Sequence, residues 1–107
     1  MKIKIFQFQV IDSDTEANLN KVDSLFAETD LSNTDVVVLP EMWTSGYDLE
    51  NIDDHAANNL EPGKSIITKL AQDNKVTVVA GSIPNKYENS GVYNTAFTVD
   101  RNGELIR

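Results

Sequence analysis

The residue best placed to do chemistry is Glu41, which follows Asp35-Val36-Val37-Val38-Leu39-Pro40 and directly precedes Met42-Trp43. The run from Val36 to Leu39 is apolar and β-branched without alternation, the pattern of a strand buried on both faces. Pro40 ends it because its nitrogen carries no proton for a sheet ladder. A carboxylate just beyond such a strand stands at its C-terminal mouth, where ligands gather in open α/β sheets. Walled by Pro40, Met42 and Trp43, it would lose hydration, the condition under which a carboxylate serves as a general base near neutral pH. The bland alternative is a surface carboxylate that caps a loop, and position alone leaves both readings open.

Other chemistry-bearing residues carry less. His55, the single histidine, follows Asp53 and Asp54. Neighbours on a helix point about 100° apart, which is poor ligand geometry, so the segment reads as a solvated helix face and no metal site is expected. Lys64 follows Pro62-Gly63, but the glycine-rich run of a phosphate loop is missing, and the lysine reads as part of a helix start. Trp43 could stack on a substrate or fill a gap between layers; core packing is at least as good a reading. Asp12 and Asp14 flank a helix start, where carboxylates offset the positive end of the helix dipole. The chain has no cysteine, which excludes disulfides, thiolate metal sites and a thiol nucleophile within these residues.

The elements that must position Glu41 can be read from periodicity. Residues 3 to 10 alternate and predict a first strand. Ser13-Asp14-Thr15-Glu16 has the form of a capping box, with the Ser13 hydroxyl bonding the Glu16 N–H. It opens a helix over 14–29 whose apolar stripe is Leu19, Val22, Leu25 and Phe26, with Asn18 on the solvent side. After the strand that ends at Pro40 come a loop over 42–50, a helical turn or two over 51–59, and a second helix over 64–74. Val76 to Gly81 is a further buried strand and Tyr93 to Asp100 another. Asn102-Gly103 predicts a type I′ hairpin turn, with positive φ at both residues, into Leu105-Ile106. That last strand is expected to be cut short at Arg107.

A chain of 107 residues with 40% hydrophobic content has room for one domain. Its formal net charge of −8 disfavours nucleic acid and anionic membrane surfaces, which need clustered Lys and Arg. The opening Met1-Lys2-Ile3-Lys4-Ile5-Phe6 is basic, but Gln7 and Gln9 interrupt it before a signal-peptide core could form. No stretch approaches the roughly 20 apolar residues of a membrane span, so the cytoplasm is the expected compartment.

Taken in order, several blocks resemble the nitrilase, or carbon-nitrogen hydrolase, superfamily. They are Gln7, Asp14 with Asn18, Leu39-Pro40-Glu41 with Gly46-Tyr47, Gly81-Ser82, Tyr93-Asn94-Thr95-Ala96 and Asp100-Arg101-Asn102-Gly103. The resemblance implies an enzyme that hydrolyses small-molecule amides to acid and ammonia through a Glu-Lys-Cys triad. Glu41 matches the general base. The family's Lys and Cys match no residue here, so Glu41 alone is carried over, and the chain reads as an N-terminal fragment, a partial domain over 1–107, inactive by itself. The flavour of Met42 to Tyr47 is closest to the omega-amidase-like branch, which acts on monoamides such as 2-oxoglutaramate.

The fold implied is α/β, the N-terminal part of a four-layer α-β-β-α sandwich. The two helices would cover a sheet of the first three strands, and the 93–107 hairpin would begin the opposite sheet. The resemblance also implies a homodimer of the full-length enzyme, with no cofactor. Two other classes compete. A metal-dependent phosphoesterase of the DNase I type also carries a Glu after an early apolar strand, but Gln rather than Pro usually precedes it. The missing Lys and Cys would also suit a catalytically inactive α/β interaction module.

Overall fold

The computed structural model describes residues 1–88 and 90–106. Arg107, where the sequence predicts an interrupted strand, lies outside the described residues. The elements are β1 (Ile3–Ile5), α1 (Thr15–Glu28), β2 (Val36–Val38), a 3-10 turn (Leu49–Asn51) leading into α2 (Ile52–His55), β3 (Ala57–Asn58), α3 (Gly63–Asn74), β4 (Thr77–Lys86), β5 (Tyr93–Val99) and β6 (Leu105–Ile106).

All six strands form one sheet in the order β1-β2-β4-β5-β6, with β3 paired alongside the far end of β4. β1, β2 and the first part of β4 run parallel, as helical crossovers require, and β5 and β6 add on antiparallel. The hairpin therefore extends the first sheet; it does not begin an opposite one. β4 continues through Gly81 to Lys86 and offers Ser82 to Asn85 as a ladder for β5, which keeps the hairpin in plane. A register shift between Val79 and Ser82 marks a β-bulge at Ala80-Gly81.

The two helices cover one face. Val22 and Phe26 of α1 and Ile67, Leu70 and Ala71 of α3 pack with Val37, Val78, Ala80, Phe97 and Val99 of the sheet. Fully burying a Val, Leu, Ile or Phe side chain contributes about 1.5–3 kcal/mol. Phe6, just past β1, meets Phe26 edge-on at 5.1 Å between ring centroids. On the other face the registers align Ile5, Val38, Val79, Thr98 and Ile106 in one row. Ile5 and Ile106 are half or more exposed there, so the apolar row has no cover among the described residues.

Three local readings are corrected. The N-cap of α1 is Asp14, whose Oδ1 accepts from the Ala17 N–H at 3.1 Å. Ser13 instead adopts φ 56° and turns its hydroxyl to Asp48. Asn18, expected in solvent, is 1% exposed. The turn before β6 has positive φ at Gly103 but not at Asn102. The Asp100 carbonyl accepts from the Gly103 N–H at 2.9 Å and its N–H donates to the Glu104 carbonyl at 2.8 Å. This is a type I turn followed by a left-handed glycine, and the Asp100 carboxylate favours it by accepting from the Asn102 and Glu104 N–H groups.

Candidate active site

β2 lies between β1 and β4 in the sheet, and the segment that leaves its C-terminal end is gripped by β4. The Leu39 N–H donates to the Val79 carbonyl at 2.9 Å. Past Glu41, the Met42 N–H donates to the buried Ser82 Oγ at 3.0 Å and the Trp43 N–H to the Ser82 carbonyl at 3.3 Å. The Trp43 indole N–H reaches the Ala80 carbonyl at 2.7 Å. Trp43 is fully buried, so core packing is its role and substrate stacking is not.

Two backbone features make this grip possible. Met42 has φ 53°, uncommon for a bulky residue, and the reversal folds residues 42–46 back against β4. The Gly46 N–H then closes on the Met42 carbonyl at 2.8 Å. Gly81, at φ 57°, lets β4 pass directly beneath; a Cβ there would sit 2.0 Å from the Pro40 carbonyl oxygen.

The same reversal decides what surrounds the carboxylate. Met42 and Trp43 turn inward, while Glu41 is exposed. The expectation that Pro40, Met42 and Trp43 wall off Glu41 is thus corrected. The clefts between the 7–11 segment and α1 (590 Å³) and beside the start of α3 (250 Å³) do not include it. Its carboxylate is nonetheless held, because the Tyr47 hydroxyl donates to Oε1 at 2.7 Å. That bond raises the Tyr47 phenol above its ordinary value, with a smaller contribution from desolvation, so Tyr47 remains a donor through neutral pH.

The loop carrying Tyr47 is fastened to the start of α1. Asn18 uses its whole amide: Oδ1 accepts from the Ile11 N–H at 2.9 Å, and Nδ2 donates to the carbonyls of Ile11 (2.8 Å) and Thr44 (2.9 Å). The Ser13 N–H donates to the Ser45 carbonyl at 2.8 Å. Its hydroxyl donates to Asp48 at 2.7 Å, which, with a bond from Asn51, holds that carboxyl below the usual range. Gly46 has φ 68°, and a Cβ on it would strike the Asp12 carboxylate at 2.0 Å.

Among the other candidates, Asp14 is the cap of α1, and Lys64 is the second residue of α3. Asp54 and His55 line the 250 Å³ cleft, which is separate from Glu41. The residues that sequence reasoning left without a role are Asn18, Tyr47 and Ser82. Each lies in a motif block already singled out, but its partner is 26 to 40 residues away (Thr44, Met42) or across a loop (Glu41).

Residues 2–107 match the carbon-nitrogen hydrolase family. The chain is 42% identical over 106 residues to "Hydrolase in agr operon" of Staphylococcus aureus, covering 99% of this chain and 40% of that protein. It is 37% identical over 105 residues to 2-oxoglutaramate amidase of Bacillus subtilis (strain 168), covering 98% and 40%. Saccharomyces cerevisiae Nit3, a member of branch 10 of the nitrilase superfamily, superposes with a TM-score of 0.86 at 25% identity, over 100% of this chain and 42% of that one. The chain thus spans 40% of the length of these two sequence relatives. It belongs to the carbon-nitrogen hydrolase family, and its α/β fold is of the nitrilase type, which sets the phosphoesterase alternative aside.

Proposed function

We propose that residues 1–107 are the N-terminal part of a carbon-nitrogen hydrolase that converts a small primary amide to its acid and ammonia, with Glu41 as the general base. The Lys and Cys of the triad are supplied by polypeptide outside these residues, and the chain alone, having no thiol, does not turn over. In the reaction Glu41 takes the thiol proton as the sulfur attacks the amide carbon, and the Lys stabilises the oxyanion. Glu41 returns the proton to the leaving nitrogen, ammonia departs and a thioester remains. Glu41 then deprotonates a water that attacks the thioester, and the acid leaves with the thiol restored.

The observation that carries this reading is the setting of Glu41 at the mouth of a central parallel strand. Its main chain is clamped to β4 on both sides, and its carboxylate is held by Tyr47. An omega-amidase-like substrate, a short dicarboxylate monoamide such as 2-oxoglutaramate, is favoured by the similarity to the Bacillus subtilis amidase. By resemblance the complete enzyme is a homodimer that needs no cofactor, and the cytoplasm expected from the sequence is its proposed compartment. No helix among the described residues is long and apolar enough to cross a membrane.

The test is ammonia release from 2-oxoglutaramate and from simple aliphatic amides by the complete hydrolase and its Glu41→Gln variant. The variant is expected to keep its fold and lose turnover by roughly 100-fold or more, since general base catalysis contributes about 10²–10⁴-fold. Turnover near that of the unaltered enzyme would end the assignment.

A further inference from the structure

We propose that Tyr47 is a positioning residue for Glu41, holding the carboxylate by Oε1 so that Oε2 is left to accept the reacting proton. The proposal rests on the reading of Glu41 as the general base. The main chain on either side of Glu41 is fixed by the bonds of Leu39, Met42 and Trp43 to β4, but its side chain is exposed and has three torsions. The hydrogen bond from Tyr47, 2.7 Å long, is the one that restrains it among the described residues.

Tyr47 suits this task. A phenol has two torsions and reaches the carboxylate from six positions further along the chain. The loop that carries it is fixed by Gly46 against Asp12 and by Asp48 against Ser13. A neutral O–H given to a carboxylate is a charge-assisted bond, shorter and stronger than one between neutral groups. A phenol keeps its proton at neutral pH at its ordinary value of about 10, and the bond to Glu41 moves that value further up. Tyr47 is 61% exposed, so its hydroxyl does little for the core. Losing it should be felt in the geometry of the base more than in folding.

The test uses the complete hydrolase with Tyr47→Phe, Glu41→Asp, Glu41→Gln and the pair Glu41→Asp with Tyr47→Phe, assayed on a primary amide alongside thermal unfolding. Tyr47→Phe is expected to lower kcat roughly 10- to 100-fold, the scale of loss when a reacting group is displaced by about 1 Å, with KM and Tm unchanged. Asp, one methylene shorter, falls out of reach of Tyr47, so adding Tyr47→Phe to Glu41→Asp should cost nothing further. Unaltered kcat in Tyr47→Phe, a loss confined to KM as for a substrate-stacking ring, or full multiplication of the two losses would overturn the proposal. An inactive Glu41→Gln beside a normal Tyr47→Phe removes this inference alone, whereas an active Glu41→Gln removes the reading beneath it.

Discussion

Replacing Asn18 should unfasten the loop that carries Glu41 and Tyr47, and the cost can be worked bond by bond. The side chain is 1% exposed and makes three bonds to main-chain groups, at 2.9, 2.8 and 2.9 Å. At about 1 kcal/mol for each hydrogen bond lost where water enters poorly, Asn18→Ala should destabilise the protein by about 3 kcal/mol, out of a total typically near 5–15 kcal/mol.

Asn18→Asp separates shape from hydrogen bonding. It keeps an acceptor for the Ile11 N–H but turns an oxygen toward two carbonyl oxygens, so at pH 7 it should cost more than the alanine. Protonation restores one donor, so the folded state holds the new carboxyl above its unfolded value of about 3.9. The destabilisation therefore grows as pH rises through that unfolded value and is complete above the folded one. Urea midpoints of the complete protein at pH 7 and pH 4, with exposed Asn20→Ala as a control expected within about 0.5 kcal/mol, read all of this. A loss below about 1 kcal/mol for Asn18→Ala, or an aspartate variant as stable as the parent at pH 7, would show that these three bonds do not hold the loop.

Two further outcomes follow from the same clamp. Gly81→Ala combines a left-handed φ of 57° with a Cβ 2.0 Å from the Pro40 carbonyl oxygen. It should cost about 2–5 kcal/mol from strain and forced separation of β2 and β4, while Gly91→Ala, with open space around it, should be near neutral in the same urea titration. Ser13→Ala removes the main partner of Asp48, whose carboxyl is held low chiefly by the Ser13 hydroxyl. A depressed carboxyl adds stability above its unfolded value, near 3.9, and loses it as pH falls through the folded value. The difference in midpoint between variant and parent should therefore be present at pH 7 and shrink as pH falls below the unfolded value, and a difference independent of pH would count against the bond.

The helices and the buried strands were legible because their residue patterns announce their period, whereas the alternation over residues 3 to 10 yields a strand only over Ile3–Ile5. The stripe Val22 and Phe26, the unbroken Val36 to Leu39 and the stop at Pro40 all appear where the residue types put them. The place of Glu41 at the mouth of β2 was legible for a related reason, since Pro40 stops the ladder just before it. What stayed hidden was set by contacts between distant segments. Asn18 looks like a solvent position until Ile11 and Thr44 close around it. Ser13 looks like a cap until the 45–48 loop draws it away and leaves Asp14 to do the capping. The hairpin joins the first sheet because a bulge at Ala80-Gly81 lets β4 run on to Lys86, and a strand's full length is not encoded in its most apolar stretch. The exposure of Glu41 was missed because the inward turn of Met42 and Trp43 depends on a positive φ at Met42 that no local pattern required.

Whether Glu41 accepts the proton of a thiol is read most plainly from a crystal structure of the complete hydrolase. A Glu41 carboxylate oxygen about 3–4 Å from a cysteine sulfur, within reach for proton transfer, is the predicted result. A carboxylate still facing open solvent, with every cysteine of the protein well beyond that distance, would rule Glu41 out as the base.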